Sequence, residues 1–510
     1  MKGIKRFLPI LFVFPFLLAS CNNTSSIDDI PVGEKDTNMF SSGDLKQYKG
    51  EDYTATINLS ALTADYTITA AGVYHVKGST KYQLIIEDNS SSNIHLVLDN
   101  ITMTNDANAP IYVKKSEKVV LHLLGENNIE ATYTSEVIDG EDSINGAIFS
   151  KDDLTITGTG TLNVSSKLHG IVCKDDLKMI MGTVNIKATK RGIDANDSFR
   201  MRDGNLNITS YGSVGIKLKS KKDDSFLYVE GGKIDITSYD EGIDLDYNVE
   251  ATGYIKFVSG EIIINSGNDT NEAKAIKCAS NIIITGGKFS LNSTDDGFHS
   301  VGSISIKNTN IQVTSLDDCI HSDDSIIVTS GNIILNGHEG LEADKVYVNN
   351  GNIYIDANDD GINASSVVEI NGGYIDITLG SGDVDGIDSN GTYLQTGGVV
   401  VSRIPEVTIT GCGAVDATKG VTFTGGTFIG VGSFTTVSTV KTSLSMVSFS
   451  DTFEAGTYKI KGTDISFKLK ESYDKITIVS DLFKSGSSYT LTKNDRDYIT
   501  WSQDSNSVNK

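Results

Sequence analysis

The chain has 510 residues, 50 of them Gly and only 5 Pro, with 43 basic against 66 acidic side chains and a formal net charge of −23. Such a surface excludes nucleic acid and anionic lipid headgroups as partners and suits cations, although acidity alone also serves to keep an exported protein soluble. Apolar runs rich in Ile, Val and Thr, with no long stretch of helical period, exclude a helical protein and predict an all-β chain.

Residues 1–20 read as a targeting segment, because Lys2, Lys5 and Arg6 precede an apolar run from Phe7 to Leu18 and small residues follow. The run is too short to cross a bilayer core of about 30 Å. Leu18-Ala19-Ser20-Cys21 resembles the lipobox of bacterial lipoproteins, which implies a lipid on Cys21 and anchoring to the outer face of the cell membrane. Removal of the leader takes away three basic residues and no acids, so the charge moves from −23 to −26. Residues 21–49 lack periodicity and carry Ser, Asn, Asp and Gly, which predicts a flexible tether of roughly 30 Å reach.

Residues 50–429 read as one repetitive domain. Its first part, 50–145, is β-rich and irregular. From 146 a short phrase returns: "GAIF" at 146, "GIVC" at 170, "GIDA" at 192, "GIKL" at 215, "GIDL" at 242, "AIKC" at 275, "GFHS" at 297, "CIHS" at 319, "GLEA" at 340, "GINA" at 361 and "GIDS" at 386. Most steps lie near ~22 residues, a period that means a solenoid; the longer steps at 215–242 and 242–275 read as loop insertions. One unit, "GINASS", "VVEIN", "GG", "YIDITLGSGDVD", contains three short alternating strands. The predicted fold is therefore a right-handed single-stranded parallel β-helix with three strands per coil. Gly pairs such as Gly231-Gly232, Gly286-Gly287, Gly372-Gly373 and Gly397-Gly398 suit positive φ at the turns.

Residues 430–510 break the period and read as a small β cap holding the single Trp, Trp501. A solenoid needs caps because open ends expose unpaired strand edges. Cys173, Cys278, Cys319 and Cys412 are expected as free, buried thiols; strand alternation turns Cys173 and Cys278 inward, each two residues after an inward Ile.

Residues at equivalent places in successive coils stand about 4.8 Å apart. The residue after the apolar one in the phrase gives an outward column, Asp194, Lys217, Asp244, Lys277, His299, His321, Glu342, Asn363 and Asp388. Just before the phrase stand Asp240-Glu241, Asp295-Asp296, Asp317-Asp318, His338-Glu339, Asp359-Asp360 and, more loosely, Asp383 with Asp385. Two like charges at that spacing repel by roughly 3 kcal/mol at an effective dielectric of about 20. Ca²⁺ takes six to eight oxygens, so an ion between coils is reached by carboxylates of both. These acids, Glu339, Glu342 and Asp385 among them, are the candidate ligands; the alternative is that Asp before Gly is ordinary turn chemistry and the acids are simply solvated. Zinc fits less well, since His299 and His321 have no exposed sulfur partner and "HEGLE" at 338 lacks helical spacing.

A divalent ion on such a face invites acidic polysaccharide. His299, His321, Lys217 and Lys277 are candidate ligand contacts, or side chains that merely tile the surface. Tyr211 and Tyr239 lie beside the acidic turns, where they stack on sugar rings or reflect only β propensity; Tyr354 and Tyr374 are expected outward on another sheet.

The entry "TITAAGVYHVKG", the long strand pair beginning "IHLVLDNITM", the "DDGI" turns followed by "INGGYIDIT"-like strands, and the tail "FKSGSSYTL" together resemble a bacterial family. It is that of carbohydrate-binding domain proteins, right-handed parallel β-helices that bind cellulose and acidic sugars and are related in shape to calcium-dependent pectate lyases. The resemblance implies calcium at Asp194, Asp240, Asp244, Asp295, Asp296, Asp317, Asp318, Asp359, Asp360 and Asp388. Cys319 in place of Gly and "GHEG" in place of "DDG" depart from the pattern. Three functions follow as expectations: a monomeric cell-surface binder of polysaccharide with calcium as bridge; a calcium-dependent polysaccharide lyase, with Lys217 as base; or an adhesive spacer. Lys217 lies between Asp194 and Asp244 in the column, which makes it an ion-pair partner first and a poor base, and this favours the binder.

Overall fold

Each repeat folds as three strands because its apolar residues alternate and its glycines fall between the runs. One coil is His169–Cys173, Asp176–Met179 and Thr183–Ala188. Each strand lies parallel to its counterpart one coil on, with Ile171 opposite Ile193, Leu177 opposite Phe199 and Val184 opposite Leu206. About 16 such turns make an all-β parallel β-helix. The computed structural model describes residues 30–48, 53–219, 225–245, 253–382, 384–405 and 411–510; the leader, Cys21 and Asp383 lie outside the described residues.

We call the three faces the first, second and third sheets, in the order in which the chain visits them within a coil. Ile193, Ile216, Ile243, Ile276, Phe298, Ile320, Leu341 and Ile362 form one inward column of the first sheet, all at most 2% exposed. Burial of each such side chain contributes roughly 1.5–3 kcal/mol. Every coil covers its neighbour, so none is stable alone.

Two kinds of glycine shape the turns. Between the second and third sheets, Gly232, Gly287, Gly373 and Gly398 have φ of 83°, 100°, 86° and 73°, as the Gly pairs predict. The glycine of the recurring phrase serves a different need, close approach: a Cβ on Gly297 would sit 2.3 Å from Val313 Cγ1 and 2.6 Å from the Cys319 carbonyl oxygen. Where Cys319 replaces that glycine, the next coil makes room, since Gly337 stands where the adjoining coils carry Ser315 and Ala357, and a Cβ there would lie 2.5 Å from Ser315 Oγ and 2.7 Å from Cys319 Sγ. All four described cysteines are free and buried.

The segment expected as a free tether is docked from residue 30 to residue 48. It runs along the second sheet, counter to the progress of the coils. Gly287 N donates to Pro31 O at 2.7 Å and Gly33 N to Val258 O at 2.7 Å. Further along, Asp36 meets Lys256 at 2.5 Å, Arg200 donates to Met39 O at 3.2 Å, and Asp44 meets Lys118 at 2.9 Å. Tyr48 ends the strap against the rings of His95 and His122. Cationic side chains on an outer sheet face, Lys178, Arg200 and Lys256, supply the partners that a solvated tether would lack.

At the other end the parallel ladder continues to Val440–Thr442, paired with Val421–Phe423, beyond the expected boundary at 429. Tyr473–Ser480 then pairs antiparallel with Thr427–Val431, which occupies the open edge of the third sheet. A four-stranded antiparallel sheet follows, and its core, with Trp501 2% exposed, includes Val401, Ile429 and Val431 from the outer face of the third sheet. The cap thus folds back over the last coils. Tyr374, expected outward, is covered by it and donates to Ser466 O at 3.3 Å; Tyr354, one coil earlier, remains 37% exposed.

Candidate functional site

The acidic turns join the third sheet to the first. In one coil Lys288–Ser293 is followed by Asp295 and Asp296 and then by Phe298–Ser300. The column beside them is a continuous ladder: Asp194 pairs in register with Lys217, Lys217 with Asp244, Asp244 with Lys277, Lys277 with His299, His299 with His321, His321 with Glu342, Glu342 with Asn363 and Asn363 with Asp388. Carboxylates far apart in sequence therefore stand along one edge.

Burial divides that edge. Asp194, Lys217 and Asp244, expected in solvent, point away from the core but are only 3%, 7% and 4% exposed. Neighbouring side chains lie across them. Arg191 reaches Asp194 Oδ2 at 2.9 Å and Lys219 reaches the same oxygen at 3.1 Å. Burial alone would raise the Asp194 carboxyl, but these two cations hold it below the usual range. His169 beside them is pushed down to about 4 by burial. Lys217 is in contact with Asp244, and Lys277 lies 3.8 Å from Glu241. Asp240 accepts from Asn271 Nδ2 at 3.1 Å. In this stretch the charges are already matched by protein cations.

The stretch from 295 to 388 is crowded instead. Asp295, Asp296 and Asp317 each offer an oxygen within 4.8 Å of the others, with Lys274 beside them at 2.9 Å from Asp295 and 2.6 Å from Asp296. Asp296 also meets His299 Nδ1 at 2.8 Å, and burial is offset by His299 and Lys274, which keep its carboxyl low. Burial and then Asp296 and Asp295 raise Asp317. His321 Nδ1 lies 3.0 Å from Asp318 and 2.7 Å from Glu342. Against the effect of burial, these two carboxylates raise the imidazole and keep it protonated, while burial and Glu342 push Asp318 up.

Beyond them, burial and then Asp318 push Glu339 up to about 8. Its Oε1 accepts from Asn363 at 3.1 Å, but its buried Oε2 has no hydrogen-bond partner. Burial and then Asp360 push Asp385 up to about 7. Asp360 Oδ1 accepts from Asp385 N at 2.7 Å, burial and Asp416 raise Asp388, and Asp359 lies 3.9 Å from His338.

This second stretch fits a divalent cation by donor chemistry. Asp295, Asp296 and Asp317 form an all-oxygen group, and His338, Glu339 and Asp359 form a mixed group within 4.8 Å; buried oxygens without a hydrogen-bond partner occur on Glu339 and also on Asp194 and Asp244. Hard oxygen donors suit Ca²⁺; Lys274 now pairs with Asp295 and Asp296, so an ion there would displace its ammonium, and Asp317 is the member of the group without a cation in contact.

The aromatic candidates sit at the same edge. Tyr211 and Tyr239 are 62% and 36% exposed, and Leu316, at the matching offset two coils further on than Gly267, is 72% exposed. Sequence reading passed over Leu316, although its place directly after a strand-ending Ser, as in Ser210-Tyr211 and Ser238-Tyr239, marks it. Lys274 was also missed, since it lies in an insertion that the repeat does not describe.

A family model described as "Carbohydrate-binding domain-containing protein" matches residues 63–315 and 335–496. A protein of that description from Acetivibrio thermocellus is 30% identical over 170 residues, which cover 32% of this chain and 58% of that one; the match thus spans little more than half of the relative. A solved structure of the polysaccharide lyase-like protein from C. thermocellum, a gadolinium derivative, aligns over 46% of this chain and 95% of its own with 26% identity and a TM-score of 0.38.

Proposed function

Because the chain belongs to the carbohydrate-binding domain-containing family, we propose that it is a lipid-anchored cell-surface protein that holds acidic polysaccharide of the polygalacturonate type through calcium on its acidic edge. One observation carries the reading: stacking brings oxygens of Asp295, Asp296 and Asp317 within 4.8 Å of one another, on an edge where burial, and then neighbouring carboxylates, push Glu339, Asp318 and Asp385 up to about 8, 7 and 7. A protein that keeps buried acids in that state carries a standing cost which a cation removes.

Asp295, Asp296 and Asp317 are the residues that would hold an ion, and Glu339 and Asp359, on the coils beyond, would with His338 belong to a separate position. Bound calcium supplies coordination positions that uronate carboxylates complete. Tyr211, Tyr239 and Leu316 supply exposed apolar area along the same edge for the faces of sugar rings. His299 and His321 hold the buried carboxylates Asp296 and Asp318 in place.

Binding rather than cleavage is supported by Lys217, the best-placed candidate base for a lyase, with Lys277 or Arg191 behind it. It is 7% exposed and in contact with the Asp244 carboxylate, so it neither reaches a polymer on the surface nor offers a free amine. The test is incubation of the full chain with polygalacturonate and calcium. Retention without product, abolished by a chelator, is the expected result; unsaturated products absorbing in the ultraviolet would replace the binder with a lyase.

A further inference from the structure

The corner between the third and first sheets changes sign toward its first coils. Where later turns carry Asp240-Glu241, Asp295-Asp296 or Asp317-Asp318 before the recurring phrase, the turn before Gly192 carries Lys190-Arg191. This turn is one of four, 167–168, 189–192, 211–215 and 239–242, that lie between two insertions at the same corner. The hairpin of Val137–Asp139 with Asp142–Ile144 precedes them, and the loop 267–273, bridged from Asn268 to Asn271, follows.

Backbone hydrogen bonds fix how the four turns stack. Thr189 N donates to Ser166 O, Lys190 N to Leu168 O, Tyr211 N to Ala188 O and Tyr239 N to Ser210 O, each at 3.0 Å. Lys167, Thr189, Tyr211 and Tyr239 therefore share one offset and rise about 4.8 Å per coil, with Lys190 beside the first two. Tyr211 is 62% exposed and Tyr239 36%.

The cations of this stretch are not all matched. Arg191 and Lys219 share the single carboxylate of Asp194. His169 accepts from Arg191 N at 3.2 Å through Nδ1, and burial keeps its imidazole neutral. Glu136 is the other acid nearby; Asn145 first, and then Ser143 and Lys190, hold its carboxyl low. Lys167 and Lys190 are exposed and form no ion pair among the described residues. On a chain of net charge −23, two exposed ammoniums on adjacent turns beside two exposed tyrosines make a place for a sugar that carries its own carboxylate.

We propose that Lys167 and Lys190, with Tyr211, form a second uronate subsite that takes the sugar carboxylate directly, without calcium. This rests on the reading of the ligand as acidic polysaccharide. One uronate carboxylate accepts from both ammoniums, one on each oxygen, while the neighbouring ring lies on Tyr211. The Lys190-Arg191 turn is four coils from Asp295-Asp296, about 19 Å, and the loop 267–273 stands between, so the two positions are separate. Exposed ion pairs are weak and screened by salt, so this subsite alone does not retain a polymer once calcium is removed; it selects charged over esterified sugar at one end of the edge.

The experiment treats the full chain, in chelator and at low salt, with trigalacturonate and a water-soluble carbodiimide. The reagent joins a carboxylate to an amine beside it as an amide and takes up the lost water as a urea. Adducts on each lysine are counted by mass spectrometry and divided by those that acetate gives, which corrects for reactivity. The expected result is several-fold enrichment at Lys167 and Lys190 over the exposed Lys307. It should persist in the Asp295→Asn, Asp317→Asn variant and be lost in Tyr211→Ala or in high salt. A trisaccharide pattern equal to the acetate pattern, or enrichment unchanged in Tyr211→Ala, overturns the proposal. Failure of the polysaccharide reading shows itself separately, as no retention on polygalacturonate with calcium present.

Discussion

His299 and His321 occupy the same place in successive coils and stack with ring centroids 4.8 Å apart and 26° between their planes, each with a buried carboxylate at its Nδ1, Asp296 at 2.8 Å and Asp318 at 3.0 Å. His321 is the only described cation within bonding distance of both Asp318 and Glu342. His321→Ala should therefore leave two facing carboxylates and destabilise the metal-free protein by about 3–5 kcal/mol. Calcium should restore part of the loss, as read by thermal melting with and without the ion.

Stability without metal should fall as pH rises. Glu339 has its folded-state value at about 8, above the ordinary 4.5, so its neutral form is the one the fold favours. That contribution is complete below about pH 4.5 and is lost as pH rises through about 8; for Asp318 and Asp385 the loss runs through about 7. Each group accounts for at most about 5 kcal/mol, and neighbouring carboxylates interact, so their effects do not add. His321 loses its proton only above this window. Melting temperatures in chelator should drop between pH 5 and pH 8, and millimolar calcium should flatten the curve; a profile flat in chelator would count against the crowding.

Asp194→Asn should behave differently from substitutions in the crowded stretch. It leaves Arg191 and Lys219 without the carboxylate charge they share, so denaturant unfolding should report a loss of about 2–4 kcal/mol. Calcium uptake should stay unchanged.

Gly337→Ala should cost about 1–3 kcal/mol, because the added methyl meets Ser315 Oγ at 2.5 Å, Cys319 Sγ at 2.7 Å and the Asp317 carbonyl oxygen at 2.8 Å. Cys319→Gly in the same chain should recover the part that the thiol causes. A double variant no better than the single one would show that the two positions are not coupled.

The period, the three strands per coil and the acidic ladder were legible because a solenoid repeats one local solution, so that equal offsets in sequence become neighbours in space. The docking of residues 30–48 was not. Its partners, Lys118, Arg200, Tyr228 and Lys256, sit on four different coils, and nothing in a polar, aperiodic segment announces a face that will receive it. The fold-back of the cap over Tyr374 and Val401 is similar, being a contact between an aperiodic part and a periodic one. Within the ladder, alternation gave the direction of Asp194 and Asp244 but not their burial, which depends on Arg191, Lys217 and Lys219 lying across them.

On the function proposed above, packing coil on coil makes a cation site of Asp295, Asp296 and Asp317. Isothermal titration of the chelator-treated full chain with calcium at pH 7 tests it directly. Saturable heat in the parent chain, lowered at least tenfold in affinity by Asp295→Asn with Asp317→Asn, is what the account requires. No heat in the parent chain, or equal affinity in the double variant, would contradict it.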